Sequence, residues 1–192
     1  MRLTFHPAYA KWYHGYMIRT RQDGFTLVEL LIVIVVIGIL AAISIIAYSG
    51  VSTRAQNAAV LQNVSEWSQV LQVYKTNNGT YPTLSNDPPT TCLGTDYPAA
   101  NGFAANTCYI GSATVTLDTS FFTAVKTVST VPGGSTPVVT LSNGDKVRGL
   151  MYGPNQSFNS VLIGWYFSGD QSCGIGSKIP MGNVTFCELE LD

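Results

Sequence analysis

Few side chains in this sequence have the type and spacing to do chemistry. Both histidines, His6 and His14, lie in the first 24 residues. The remainder therefore has no Ser-His-Asp or Cys-His arrangement and no imidazole metal ligand. Asp87, Asp96, Asp118, Asp145 and Asp170 are scattered over loop-like stretches without the spacing of a calcium-binding loop. Glu188 and Glu190 alternate along a strand-like run, as an exposed face does. No glycine-rich loop suited to phosphates is present, and Trp165-Tyr166-Phe167 sit in a strand-like run where core or interface packing accounts for them. The reading is a chain with no catalytic residue, no metal site and no cofactor. Four cysteines remain: Cys92, Cys108, Cys173 and Cys187, none in CxxC spacing. An even count suits two disulfides in an oxidising compartment. Of three possible pairings, Cys92–Cys108 with Cys173–Cys187 closes two short loops of turn-like composition and is the one expected; four buried or free thiols are the alternative.

One acidic group is out of place. Glu29 stands inside FTLVELL, directly against the run Leu30–Ala47, which holds one serine and no charge. A helix of that length spans roughly 27 Å, close to the hydrocarbon thickness of a bilayer. A carboxylate costs about 2.5–3.5 kcal/mol at mid-membrane and less near the interface. A plain anchor has no use for it, and a secretory signal peptide has a shorter apolar region. A cut after Gly24 explains it: Phe25 then carries a free α-amine four residues before Glu29. The amine of a neighbouring copy pairs with the carboxylate, and register errors that leave it unpaired are penalised.

The elements that would position these groups follow from charge and periodicity. The net charge of −1 hides an asymmetry, with residues 1–24 at +3 and residues 25–192 at −4. Charged residues make up only 11 %, well under the roughly 25 % of soluble domains. Arg19 and Arg21 precede the apolar run, and Arg54 is the first basic residue after it, so the positive-inside rule leaves the N-terminus cytoplasmic and the body outside. The acidic body offers no evident nucleic-acid site.

Beyond Gly50, Val60, Val64, Trp67, Leu71 and Tyr74 form an apolar stripe at helical spacing, ending at Asn78-Gly79 and Pro82. The stripe is expected to pack on a sheet of the same subunit, with a coiled coil as the alternative. Residues 83–112 read as a long loop held by Cys92 and Cys108. A short helix is expected near Thr119–Thr127, capped by Asp118 or Thr119. Strands are expected at Pro137–Leu141, Lys146–Tyr152, Ser160–Ser168 and Val184–Leu191, with Asn143-Gly144 turning the first hairpin. The fold class is α+β: a long N-terminal helix, membrane-spanning in its first half and amphipathic in its second, laid on a small antiparallel sheet with disulfide-bounded loops.

Gly24-Phe25-Thr26-Leu27-Val28-Glu29-Leu30-Leu31 resembles the class III leader junction of type IV prepilins and pseudopilins. The likeness continues through Gly38–Ile43 to Ala47-Tyr48 and resumes at Tyr74–Pro82, covering about residues 21–82. The resemblance implies four regions: a leader, 1–24; an apolar assembly helix, 25–50; an amphipathic helix, 51–78; and a pilin-like globular region, 79–192. It implies cleavage between Gly24 and Phe25 by prepilin peptidase, N-methylation of Phe25, and assembly through Glu29. The implied partners are copies of the chain and other pilins, the peptidase, a membrane assembly platform with its ATPase, and lipid before assembly. The filament subunit would end on the cell surface; a minor pilin, a secretion pseudopilin or a signal-anchored binding module are the alternatives. Two positions depart from the family. Ile46 stands where proline is frequent, so a helix break comes from Ser44, from Ser49-Gly50 or from nowhere. Asp23 lies beside the cut. In pilins the segment between the last two cysteines is typically an exposed variable loop, which here would hold Lys178-Ile179-Pro180.

Overall fold

The computed structural model describes residues 24–86, 89–155 and 160–192. The leader through Asp23, with His6 and His14, and also Asp87 lie outside the described residues. Two compact units emerge, residues 1–46 and 47–192.

The first helix, α1, covers Leu27–Asn78 and contributes to both units. It is continuous through Ser44, Ile46 and Ser49-Gly50, although the Ser44 hydroxyl donates to the Leu40 carbonyl at 2.7 Å. Within the first unit, Leu27–Ile45 has a mean hydropathy of 3.0 and its side chains are exposed. This is the one stretch among the described residues long and apolar enough to cross a membrane.

In the second unit, α1 stops where its sequence provides a stop. Gly79 takes a left-handed φ of 79°, its N–H reaches Lys75 O at 2.7 Å, and the Asn78 amide donates to Tyr74 O. The stripe behaves as its spacing requires: Val60, Val64, Trp67 and Leu71 are buried. They face β6 (Leu150–Asn155), β7 (Ser160–Ser168) and β9 (Val184–Leu191), and α2 (Thr119–Val125) joins them through Phe121, Phe122 and Val125. Trp67 lies about 6 Å from both phenylalanine rings, and its indole N–H donates to Gly133 O at 2.8 Å.

With β1 (Thr91–Leu93) and β8 (Ser177–Met181), these strands form an antiparallel sheet in the order β1-β6-β7-β9-β8. A second antiparallel sheet holds β2 (Thr107–Ile110), β3 (Thr114–Thr116), β4 (Val139–Thr140) and β5 (Lys146–Val147), in the order β3-β2-β5-β4. It lies on the other face of the first sheet, where Val139, Val147 and Val184 pack with Met151 and Tyr166. The unit is therefore layered helix, sheet, sheet.

Four expectations are corrected. The stretch 83–112 contains β1 and β2 rather than only loop. The run Lys146–Tyr152 is two strands in two sheets, because Gly149 at φ +87 turns the chain between them. A Cβ there would lie 2.1 Å from the Tyr97 hydroxyl, so only glycine fits. The strand expected at Pro137–Leu141 is only Val139–Thr140, and its hairpin closes through residues 141–145 around Asn143-Gly144. Lys178-Ile179-Pro180 lies in edge strand β8, not a loop, although its residues are exposed.

Candidate assembly site

Gly24 and Phe25 precede α1. A Cβ on Gly24 would meet nothing within 4 Å, and its φ is not left-handed, so the fold does not demand glycine there. Phe25 is 88 % exposed. No local packing explains either residue.

Glu29 enters a reciprocal arrangement with Thr26. Its Oε2 accepts the Thr26 backbone N–H at 2.8 Å and the Thr26 hydroxyl at 2.9 Å, and the Thr26 hydroxyl oxygen accepts the Glu29 N–H at 3.2 Å. This is a capping box, Thr26-Leu27-Val28-Glu29, which satisfies backbone donors that a helix start leaves orphaned. In an apolar setting that satisfaction is worth more, because water is not there to replace it. The carboxylate also lies in the first turn, where the helix dipole favours negative charge. Sequence reasoning missed Thr26, although its T-x-x-E spacing was the available signal. Oε1 accepts no hydrogen bond among the described residues, so the carboxylate keeps capacity for another donor. The apolar side chains that follow, through Ile45, are exposed and unpartnered among the described residues. Chemically, the arrangement can do one thing: hold a single acidic group at the head of a greasy rod.

The other sequence candidates are structural. Cys92 bonds Cys108 and Cys173 bonds Cys187. The first disulfide ties β1 to β2 and so links the two sheets; the second ties the segment before β8 to β9. Asp118 is buried as the cap of α2. Burial alone would raise its pKa. The Ser120 hydroxyl, the Ser85 and Phe121 N–H groups and the Ser85 hydroxyl outweigh that, holding it well below the usual carboxylate range. Asp145 is pulled down to about 2 by the Tyr109 hydroxyl, and further by the Ser112 N–H, the Ser112 hydroxyl and the Asn143 amide, against a burial that pushes it up. Asp170 pairs with Lys178, Asp96 accepts the Gly134 N–H, and Glu190 accepts from Asn155 and Ser160. No three metal-ligating side chains come together among the described residues. Sequence reasoning also missed buried Arg148, whose guanidinium donates to the Thr107 and Ala104 carbonyls and stacks 4.4 Å from the Phe103 ring centroid. It pins the loop closed by Cys92–Cys108.

A family model, the prokaryotic N-terminal methylation motif, matches residues 19–45. A fimbrial protein of Dichelobacter nodosus is 30 % identical over 156 residues, covering 80 % of this chain and 89 % of that protein. The chain belongs to the type IV pilin-like proteins. A type IV major pilin protein of Neisseria gonorrhoeae is 43 % identical over 72 residues, 37 % of this chain and 32 % of that pilin. The type II secretion system core protein G of Aeromonas hydrophila is 36 % identical over 67 residues, 35 % of this chain and 47 % of that protein. These two matches span less than half of either partner. No solved structure matches this pilin-like chain. It is a structural subunit of a pilus or pseudopilus, and its apolar N-terminal helix suits a membrane anchor.

Proposed function

We propose that this chain is a prepilin whose residues 1–24 are removed by prepilin peptidase between Gly24 and Phe25. The freed Phe25 amine is methylated, and the mature subunit polymerises through residues 25–50. The amphipathic helix 51–78 and the globular region 79–192 then form the body of each subunit. One observation carries the reading. The exposed apolar stretch of α1 has a single charged group, Glu29, fastened at the helix head with an oxygen left to accept a further donor. An amine from an adjoining copy supplies that donor and neutralises a charge that is otherwise costly in an apolar bundle.

Arg19 and Arg21 favour a cytoplasmic N-terminus and an external body. Extraction from the bilayer requires work, which a membrane platform and its ATPase would supply. The similarity to a secretion-system core protein keeps a pseudopilin in view; abundance separates the two, since a major pilin dominates sheared surface filaments.

The test is the mass of the mature N-terminus. A chain beginning at N-methyl-Phe25 is expected. Native protein still carrying residues 1–24 would overturn the reading. Gly24→Val is expected to leave an uncleaved precursor about 24 residues too long. Wild-type migration of that variant on a gel would count against the cut.

A further inference from the structure

Asparagine followed by glycine occurs three times, at Asn78-Gly79, Asn101-Gly102 and Asn143-Gly144. Such a pair can modify itself. The backbone nitrogen of the glycine attacks the asparagine amide carbon, because no Cβ hinders the approach. That nitrogen must be free of other hydrogen bonds, and the side chain must be free to turn toward it.

The fold ties down two of the three pairs. At Asn78, the side-chain amide donates to Tyr74 O at 2.9 Å and the Gly79 N–H donates to Lys75 O at 2.7 Å. At Asn143, the amide donates to Asp145 Oδ2 at 2.9 Å and the side-chain oxygen accepts the Asp145 N–H at 3.1 Å. The Gly144 N–H there donates to Leu141 O at 3.0 Å. Asn101-Gly102 differs. Neither the Asn101 side chain nor the Gly102 N–H has a hydrogen-bond partner among the described residues, and both residues are exposed.

The base of this turn is held. Ala100 and Phe103 exchange both backbone hydrogen bonds, at 3.2 and 2.9 Å, around Asn101 at φ 54 and Gly102 at φ 90. Two left-handed central residues make a type I′ turn. Phe103 is buried against the Arg148 guanidinium. The pair therefore stands at a tip, within the loop closed by Cys92–Cys108. Lys146 Nζ lies 4.0 Å from where a Cβ on Gly102 would stand and has no ion pair among the described residues. A cation is thus at hand for a new carboxylate.

We propose that Asn101 is a self-modification site, deamidating in the folded chain while Asn78 and Asn143 are preserved. The Gly102 nitrogen gives its proton to water and bonds to Asn101 Cγ. The bond from Cγ to the amide nitrogen breaks, and ammonia leaves with a proton. Water then opens the cyclic imide, at Cγ to give aspartate or at the Asn101 backbone carbonyl to give isoaspartate. One water is consumed and one ammonia released, without oxidant or cofactor. Either product adds a negative charge to a body already at −4 over residues 25–192. Isoaspartate also adds a backbone methylene to a two-residue turn, which breaks the Ala100–Phe103 pairing. The mark accumulates with the age of the subunit. It is independent of cleavage at Gly24 and of Glu29.

The experiment holds the purified full chain in detergent at mildly alkaline pH, folded or in guanidinium, and locates each mass gain by peptide fragmentation. In the folded chain, Asn101 is expected to gain one mass unit about tenfold or more faster than Asn78 or Asn143, each of which must first break two or more hydrogen bonds. In guanidinium the three rates are expected to converge. Asn101→Gly, which keeps the left-handed turn, should abolish the fast event and leave the melting of the globular unit unchanged. A stable Asn101, or equal rates at the three pairs in the folded chain, would overturn the proposal. The same ranking in guanidinium would also overturn it, by assigning the difference to neighbouring sequence rather than to the fold.

Discussion

Leu27–Ile45 and Val60–Tyr74 belong to one helix, yet they solve opposite problems. The first stretch is apolar on every side and is not buried by any of the described residues. The second carries a stripe at spacings of four and three, and its Val64, Trp67 and Leu71 are fully covered. Where the apolar pattern is one-sided, the partner is internal; where it is all-round, the partner must come from outside. Their polar groups differ in the same way. The second stretch exposes Gln, Ser and Asn to water, whereas the first has one carboxylate, held in a capping box at its head. Mutations can therefore separate folding from assembly along a single helix.

The largest expected effect on folding is at Trp67. Trp67→Ala removes a side chain packed on Phe121 and Phe122 and frees the Gly133 carbonyl, costing about 3–5 kcal/mol. Ile37→Ala, in the apolar stretch, should leave the melting of the globular unit unchanged. Urea denaturation of the detergent-solubilised chain, followed by near-UV circular dichroism, checks both. Equal losses at the two sites would erase the contrast. Replacing Cys92 and Cys108 by serine together is expected to cost somewhat less, about 3 kcal/mol for a loop of this size. The same denaturation measures it.

A smaller loss is expected at Asp118, and it is pH-dependent. Its carboxyl is held below its ordinary range, so the stabilisation is fully present above the unfolded pKa of about 3.9 and disappears as pH falls toward the lower folded value. Asp118→Asn should cost about 1–2 kcal/mol at neutral pH through the weakened cap. The variant's stability should also fall less steeply than wild type below about pH 5. Parallel acid curves for the two proteins would count against the cap.

The same contrast explains what could be read in advance. Ser160–Ser168 and Val184–Leu191 are long, alternating and buried on one face, and their bounds match β7 and β9. The stop at Asn78-Gly79 and the Asp118 cap follow from local chemistry. β1, β2 and β3 have three or four residues each, too few for alternation to register, and their pairing is set by distant strands. β8 was obscured by Pro180, which a free edge tolerates. At the assembly site, Glu29 stood out through its charge. Thr26 was masked by the same charge, because a costly carboxylate invites a search for a cation rather than for a backbone donor.

The smallest effect on folding, and the most informative for assembly, belongs to Glu29. Its carboxylate caps the helix through Thr26, and the proposed function gives it a second role, offering charge to a neighbour's amine. Glu29→Gln separates them, since glutamine serves in the same capping box but carries no charge. The globular unit should melt as wild type and the leader should be removed normally, while sheared filament is lost. Thr26→Val does the reverse: it removes the hydroxyl from the box and spares the charge, at a cost of about 1 kcal/mol to the helix start. Filament yield from that variant should exceed the yield from Glu29→Gln. If glutamine assembles as well as glutamate, capping suffices and the charge pairing is wrong. If both variants fail alike, the box and the pairing work as one unit, and the two halves of α1 differ in wiring as well as in partner.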